Sequence, residues 1–256
     1  MKNIKTQLIH EVRAVKNKYE LASIVAAQRI SEKVLQDVLK FLKVGITEIE
    51  VADFIKKSFV KYEAPTLSFS PIVAFGKNTA NIHHEPGKSK LKKPVRRGGG
   101  GTIIMLDFGC TVNHYCSDMT RTYFWGKKNN KTNLKQKKVY LDVLEAMNRA
   151  LTTVAKGEKN AKVIDKIART FLARKYKNNF AHGLGHGVGT VIHEWPNFKP
   201  KSEDVLPVGC VMTIEPGIYL KGLGGVRIED MILITKNGYK NLTNVPKDLE
   251  SAILKI

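Results

Sequence analysis

Residues 102–126 read TIIMLDFGCTVNHYCSDMTRTYFWG, and they place two aspartates where strands ordinarily exclude them. TIIMLDFG (102–109) is an apolar, β-rich run, and YCSDMTRTYFWG (115–126) alternates as a strand does. Both are therefore expected to be strands. Acids are depleted in strands, and a carboxylate on a buried strand is costly unless paired or metal-bound. Asp107 follows the apolar run IIML, so it is expected to enter the interior at a strand end. A single acid of this kind can be a structural hydrogen-bond acceptor. Several of them ask for another explanation.

The rest of the chain supplies them. CVMTIEPGIYL (210–220) and GVRIEDMILIT (225–235) are also strand-like, and they carry Glu215 and Glu229. Each acid-bearing region follows two helices. In the first half, Leu21, Ile24, Val25, Val34, Leu35, Val38, Leu39 and Leu42 recur at helical spacing over roughly 18–43, and Gly45 ends the run. A second helix opens with a capping box from Thr47 to Glu50, and the strand-like LSFSPIVAFG (67–76) follows. In the second half, helices are expected near 134–155 and 160–176. GGGG at 98–101 and NG at 237–238 read as turns. The chain is thus an α+β protein of two similarly ordered halves, each with two acids in its strands.

Between the helices and the strand regions of the second half lies AHGLGHGVG (181–189). It is not a dinucleotide loop. Counted from Gly183, the last glycine of Gly-x-Gly-x-x-Gly would fall on Val188, and counted from Gly185 on Thr190. Its glycines are expected to let the backbone pass close to metals and substrate. Four carboxylates and one imidazole are hard ligands suited to two nearby divalent ions such as Mn²⁺, Fe²⁺, Co²⁺ or Zn²⁺. Like charges gathered this closely require cations.

Composition narrows the class. An apolar share of 43% and a charged share of 26% are those of a globular domain, and no run reaches membrane-span length. The N-terminus has no apolar segment of secretory type, so a cytoplasmic location is expected. Three cysteines, Cys110, Cys116 and Cys210, lack CxxC spacing and are expected to be buried free thiols. The formal charge of +20 raises the prospect of weak docking to ribosomal RNA or other anions. Its densest runs, 88–97 and 127–138, read as exposed lysine-rich loops without the interleaved aromatics of a single-strand groove.

LDFG, CSDMTRT eleven residues after the first Asp, HGLGHGVG with HEWP, TIEPGIY and GVRIED, in this order, resemble the pita-bread metallopeptidases. That family includes methionine aminopeptidase, aminopeptidase P and prolidase. The resemblance implies two pseudo-symmetric αβ halves around a curved antiparallel sheet. It also implies a peptide substrate cleaved at its N-terminal bond by a hydroxide bridging two divalent ions, manganese first among them. Asp107 would chelate one ion, Asp118 and Glu229 would bridge the pair, and His186 and Glu215 would complete the second site. Glu215 would also shuttle the proton. His83, in NTANIHHEP, would assist proton transfer to the leaving amine, and His193, in VIHEWP, would steady the carbonyl oxygen.

Local wording favours the proline-directed branch. His182, four residues before His186, and Arg227, in GGVRIED, are typical of aminopeptidase P and prolidase, where their counterparts lie at the substrate site and beside the metal-bound acids. The expectation is an Xaa-Pro aminopeptidase, with methionine aminopeptidase and Xaa-Pro dipeptidase as alternatives. The chain reads as one catalytic domain over 1–256, without the separate N-terminal domain common in that branch, and as a monomer or homodimer. Ile82 and His114 replace the family's usual proline and glycine near the pocket. A non-catalytic pita-bread module that binds protein or RNA is the alternative of a different class. Such modules typically lose metal ligands, and all five positions are kept here.

Overall fold

The computed structural model describes residues 4–93, 102–126 and 134–254. Helix α1 (Ile4–Ala14) leads into α2 (Lys18–Phe41) and α3 (Glu48–Lys61). Capping boxes start both longer helices: Asn17 pairs with Glu20, and Thr47 with Glu50 as the sequence implies. α2 buries Ile24, Ala27, Val34, Leu35 and Val38 along one face. Phe41 of α2 stacks on Phe54 of α3 with ring centroids 3.9 Å apart. Helix α1 is not expected from the sequence, because Leu8, Ile9 and Val12 remain exposed and leave no buried stripe to read.

The first half continues through β1 (Ile72–Phe75), a 3₁₀ turn (Gly76–Ala80), β2 (Thr102–Asp107), β3 (Thr111–Val112), β4 (Tyr115–Cys116) and β5 (Thr120–Trp125). The second half runs α4 (Leu134–Ala155), α5 (Ala161–Tyr176), β6 (Gly185–Gly187), β7 (Glu194–Phe198), β8 (Val211–Ile214), β9 (Gly217–Leu220), β10 (Gly224–Arg227), β11 (Asp230–Thr235) and β12 (Gly238–Asn241). Strand β13 (Ile253–Leu254) returns to the first half. One sheet has the order β1-β2-β5-β13 and the other β12-β11-β8-β6-β7, and β3-β4 and β9-β10 form two-stranded ribbons. All pairings are antiparallel except β13 with β5. This is an α+β fold in two halves of like order.

The halves meet along a seam of polar bonds. Glu229 N donates to Thr120 O at 3.1 Å. Arg227 N donates to Thr122 Oγ1 at 3.2 Å, and that hydroxyl donates to Arg227 O at 2.8 Å. Arg121, almost wholly buried, donates to Glu229 O, to Asp230 Oδ1 at 2.7 Å and to Val245 O at 2.8 Å. It thereby ties the C-terminal tail to both sheets.

The strands are shorter and more interrupted than the sequence implies. YCSDMTRTYFWG is two strands, β4 and β5, separated at 117–119. CVMTIEPGIYL breaks at Glu215 and Pro216, and GVRIEDMILIT breaks at 228–229. Pro216 has no N–H for a ladder. LSFSPIVAFG is a strand only over β1. Asp118, Glu215 and Glu229 therefore occupy interruptions, and Asp107 ends β2. Side chains in a continuous strand alternate between faces, so four acids can converge only where the backbone leaves the pleat. β5 is buried at every position rather than alternating, because Tyr140 of α4 packs on Phe124 at 5.6 Å while β10 lies alongside.

The lysine-rich runs are only partly described. Residues 94–97, the glycines 98–101 and residues 127–133 lie outside the described residues. The remainder of the second run, 134–138, opens α4 instead of forming a loop. In the first run Leu91 is buried, with its N–H donating to Ile46 O at 2.7 Å. Among the described residues no helix is long and apolar enough to cross a membrane.

Candidate active site

One cavity of about 520 Å³ is lined by all nine residues singled out from the sequence: His83, Asp107, Asp118, His182, His186, His193, Glu215, Arg227 and Glu229. They come from five separate stretches of chain. Its remaining wall includes Phe69, Ile72, Ile82 and Ile192 on the apolar side, and Asn197 and Lys199 on the polar side.

The five ligand candidates are gathered with Arg227 as the one cation paired to them among the described residues. Donor atoms of Asp118, His186 and Glu229 all lie within 4.8 Å of one another, and all three residues are buried. His186 Nε2 is 3.5 Å from Asp118 Oδ2 and 3.4 Å from Glu215 Oε1. Nδ1 of that ring donates to Gly187 O at 3.1 Å, which leaves the Nε2 lone pair facing the carboxylates. Burial, followed by the neighbouring His193, holds the His186 pKa down to about 4, so the ring is a neutral imidazole. Burial and then mutual repulsion act on the acids. The pKa values of Asp118 and Glu229 lie well above the usual carboxylate range, and that of Glu215 is pushed up to about 7. Asp107 Oδ1 is buried without a hydrogen-bond partner. Oxygen-rich donors, an imidazole lone pair aimed among them and an orphaned carboxylate oxygen together fit divalent cations.

Neighbouring groups fix these side chains. Thr120 Oγ1 donates to Glu229 Oε2 at 2.7 Å, and Thr213 Oγ1 accepts from His186 N at 3.0 Å. Arg227 pairs with Asp107 through NH2 and donates to Thr120 Oγ1 at 3.0 Å through Nε. Its NH1 donates to the Tyr219 hydroxyl at 2.7 Å, and that hydroxyl in turn meets His182 Nε2 at 2.9 Å. His182 Nδ1 donates to Gly183 O at 2.7 Å, so Nε2 is the acceptor and Tyr219 the donor. Burial, then the Arg227 charge, lowers the His182 pKa to about 3. His182 and Arg227 are thus two ends of one chain of bonds, and Tyr219 is the link. Sequence reasoning missed Tyr219, although it sits four residues beyond Glu215 in TIEPGIY.

His83 and His193 are more exposed. The His193 ring packs edge-on against His186 with centroids 4.3 Å apart. Burial and the nearby His83 lower the His193 pKa. The next residue, Glu194, turns inward to the buried ammonium of Lys16, with Arg13 NH2 3.2 Å away. On the other flank, Arg169 grips Asp165 and donates to the carbonyls of Phe180 and His182 at 2.9 and 2.7 Å.

The glycines of AHGLGHGVG serve the packing of the fold, and Gly183 and Gly185 also line the cavity. A Cβ at Gly185 would lie 2.1 Å from Thr213 O, and one at Gly187 2.6 Å from Trp195 O. Only glycine lets β6 approach its neighbours this closely and so places His186 above the carboxylates.

The model of metallopeptidase family M24 matches residues 22–236. An uncharacterized peptidase of Staphylococcus haemolyticus is 39% identical over 242 residues, covering 94% of this chain and 66% of the relative. The X-Pro aminopeptidase of Thermotoga maritima superposes with a TM-score of 0.85 at 34% identity, over 94% of this chain and 66% of that one. The prolidase of Pyrococcus furiosus gives 0.84 at 38% identity, over 94% and 68%. The chain therefore spans about two thirds of the length of these relatives.

Proposed function

The chain belongs to metallopeptidase family M24, and on that premise we propose that it is an aminopeptidase that releases the N-terminal residue of Xaa-Pro peptides. The observation that carries this reading is the convergence of three buried acids, the half-buried Glu215 and a neutral imidazole in one cavity with His83 and His193. Asp107, Asp118, His186, Glu215 and Glu229 would hold two divalent ions between them, with manganese the first candidate. When bound, such ions activate water at neutral pH and polarise the scissile carbonyl. The remaining work belongs to side chains. Glu215, whose carboxylate lies beside His186 on the cavity wall, takes and returns the proton of the attacking water. His193 donates a hydrogen bond to the carbonyl oxygen as charge develops there. His83 delivers a proton to the departing proline nitrogen. Arg227 holds Asp107 in place, and His182, fixed by Tyr219, shapes the substrate end of the cavity.

The retained ligand set argues against a non-catalytic module. A dipeptidase reading draws on Lys199, an exposed cation on the cavity wall that can hold the free carboxylate of a short substrate. A side-by-side assay of an Xaa-Pro-peptide, an Xaa-Pro dipeptide and a Met-Ala-peptide with defined metals separates the readings. We expect cleavage of the first with Mn²⁺ and none after chelation. Cleavage of the dipeptide alone selects the dipeptidase, and cleavage of the Met-Ala-peptide alone a methionine aminopeptidase. Activity that survives complete metal removal overturns the metal-dependent mechanism.

A further inference from the structure

Glu48, the first residue of α3, lies outside the cavity, yet its carboxylate is wholly buried. Each oxygen is saturated. Oε1 accepts from Phe75 N at 2.7 Å and from Asn78 Nδ2 at 2.9 Å. Oε2 accepts from His84 Nε2 at 2.9 Å and from Gly87 N at 3.0 Å. Phe75 ends β1, and the other three donors belong to the connection that leaves this strand and presents Ile82, His83, His84, Glu85 and Pro86 to the cavity.

The two ends of this loop are held differently. Its start is also tied to the second half: Gly225 N donates to Thr79 Oγ1 at 2.7 Å, and Arg227 NH1 reaches Ile82 O at 3.4 Å. From His83 to Gly87, the hydrogen bonds among the described residues all run to the start of α3. They are His84 to Glu48, Gly87 N to Glu48, and Ile49 N to Gly87 O at 3.1 Å. A buried carboxylate that takes four bonds from the end of one strand and the loop that follows it is an expensive arrangement if its role is only to fill space. An aliphatic side chain could fill that volume, but it could not fix the loop.

We propose that Glu48 is a positioning residue for the reaction: with His84 it sets the loop that carries His83, and so the distance over which His83 delivers its proton. This rests on the proposed peptidase function. The proposal differs from an ordinary stabilising role in what it predicts. The start of the loop keeps its own anchors, so loss of Glu48 should release residues 83–87 while the metal-binding acids stay in place. The defect should then fall on turnover rather than on substrate binding, because a small displacement of a proton donor is costly to the rate.

The test compares wild type with Glu48→Gln, whose amide nitrogen cannot accept the two bonds made to one oxygen. With Mn²⁺ and an Xaa-Pro-peptide, we expect kcat to fall by about 10-fold or more with KM changed by less than about 3-fold. Amide hydrogen exchange should quicken at Phe75 and over 83–87 and stay unchanged at 182–187 and 211–215. As a second pair, His84→Gln can still donate to Oε2 and should retain more turnover than His84→Leu. This pair decides the matter if Glu48→Gln does not fold. Unchanged kcat in Glu48→Gln, or exchange that rises throughout the molecule, overturns the proposal. If wild type cleaves none of the peptides, the functional reading fails by itself. The exchange data then judge the loop anchor separately, and unaltered protection at Phe75 and Gly87 would sink it.

Discussion

His186 shows how one residue can be ligand-ready before any ligand arrives. Its Nδ1 proton is spent on Gly187 O, burial keeps the ring neutral, and Nε2 faces two carboxylates at 3.4 and 3.5 Å. A lone pair set against carboxylate oxygens is unfavourable unless a proton or a metal cation lies between them. The same logic applies to the orphaned Oδ1 of Asp107, whose other oxygen is held by Arg227. His186→Ala should therefore lower metal content and cut turnover by about 100-fold or more, since even indirect partners of a metal are worth roughly 10–100-fold. Far-ultraviolet circular dichroism and the melting temperature should stay near wild type, because the mutation removes a side chain that holds no other element. Metal analysis after dialysis together with the Xaa-Pro assay checks this. Full activity in the variant contradicts the ligand assignment.

Among the elements, short strands and the loops between them do the placing. The identities of the cavity residues were legible because acids in apolar strand-like runs are improbable without a purpose, and because the motifs keep their order. The interruptions at 117–119, 215–216 and 228–229 were not legible, since a run of apolar and small residues has the same composition whether or not its ladder is broken. Partners distant in sequence were hidden for a related reason. Glu48 lies between the two partners of a capping box and reads as an ordinary first-turn acid, and nothing near Lys16 points to a residue 178 positions away. Lys16 follows α1 and buries its ammonium against Glu194, directly after His193, while Gly189 leaves room for that carboxylate. Lys16→Met should thus loosen the 189–194 loop. Removing one partner of a buried ion pair costs about 3–5 kcal/mol, and Arg13 beside Glu194 should bring this to the lower end. Urea unfolding measures the cost, and a loss below about 1 kcal/mol would show that the pair contributes little.

Taken as a whole, the molecule is two halves that cannot complete a site separately. Asp107 and Asp118 come from one half, His186, Glu215 and Glu229 from the other, and the hydrophobic core runs through both. Arg121 and the tail it holds cross the seam, so the halves should unfold together. The three cysteines offer a direct probe. Cys110 and Cys116 lie in the first half and Cys210 in the second, and all are free and buried. Burial raises the pKa of each thiol, to about 11 for Cys110 and about 12 for Cys210. A raised thiol pKa suppresses the reactive thiolate at pH 8, so labelling requires opening of the structure. Native protein should resist a disulfide-exchange reagent at pH 8, and denatured protein should release all three thiols. In intermediate denaturant the three should become reactive over one shared transition that coincides with loss of helical signal. Labelling of Cys210 clearly ahead of Cys110 and Cys116 would mean that the second half opens by itself. The seam would then align the two halves of the site without making them one cooperative unit.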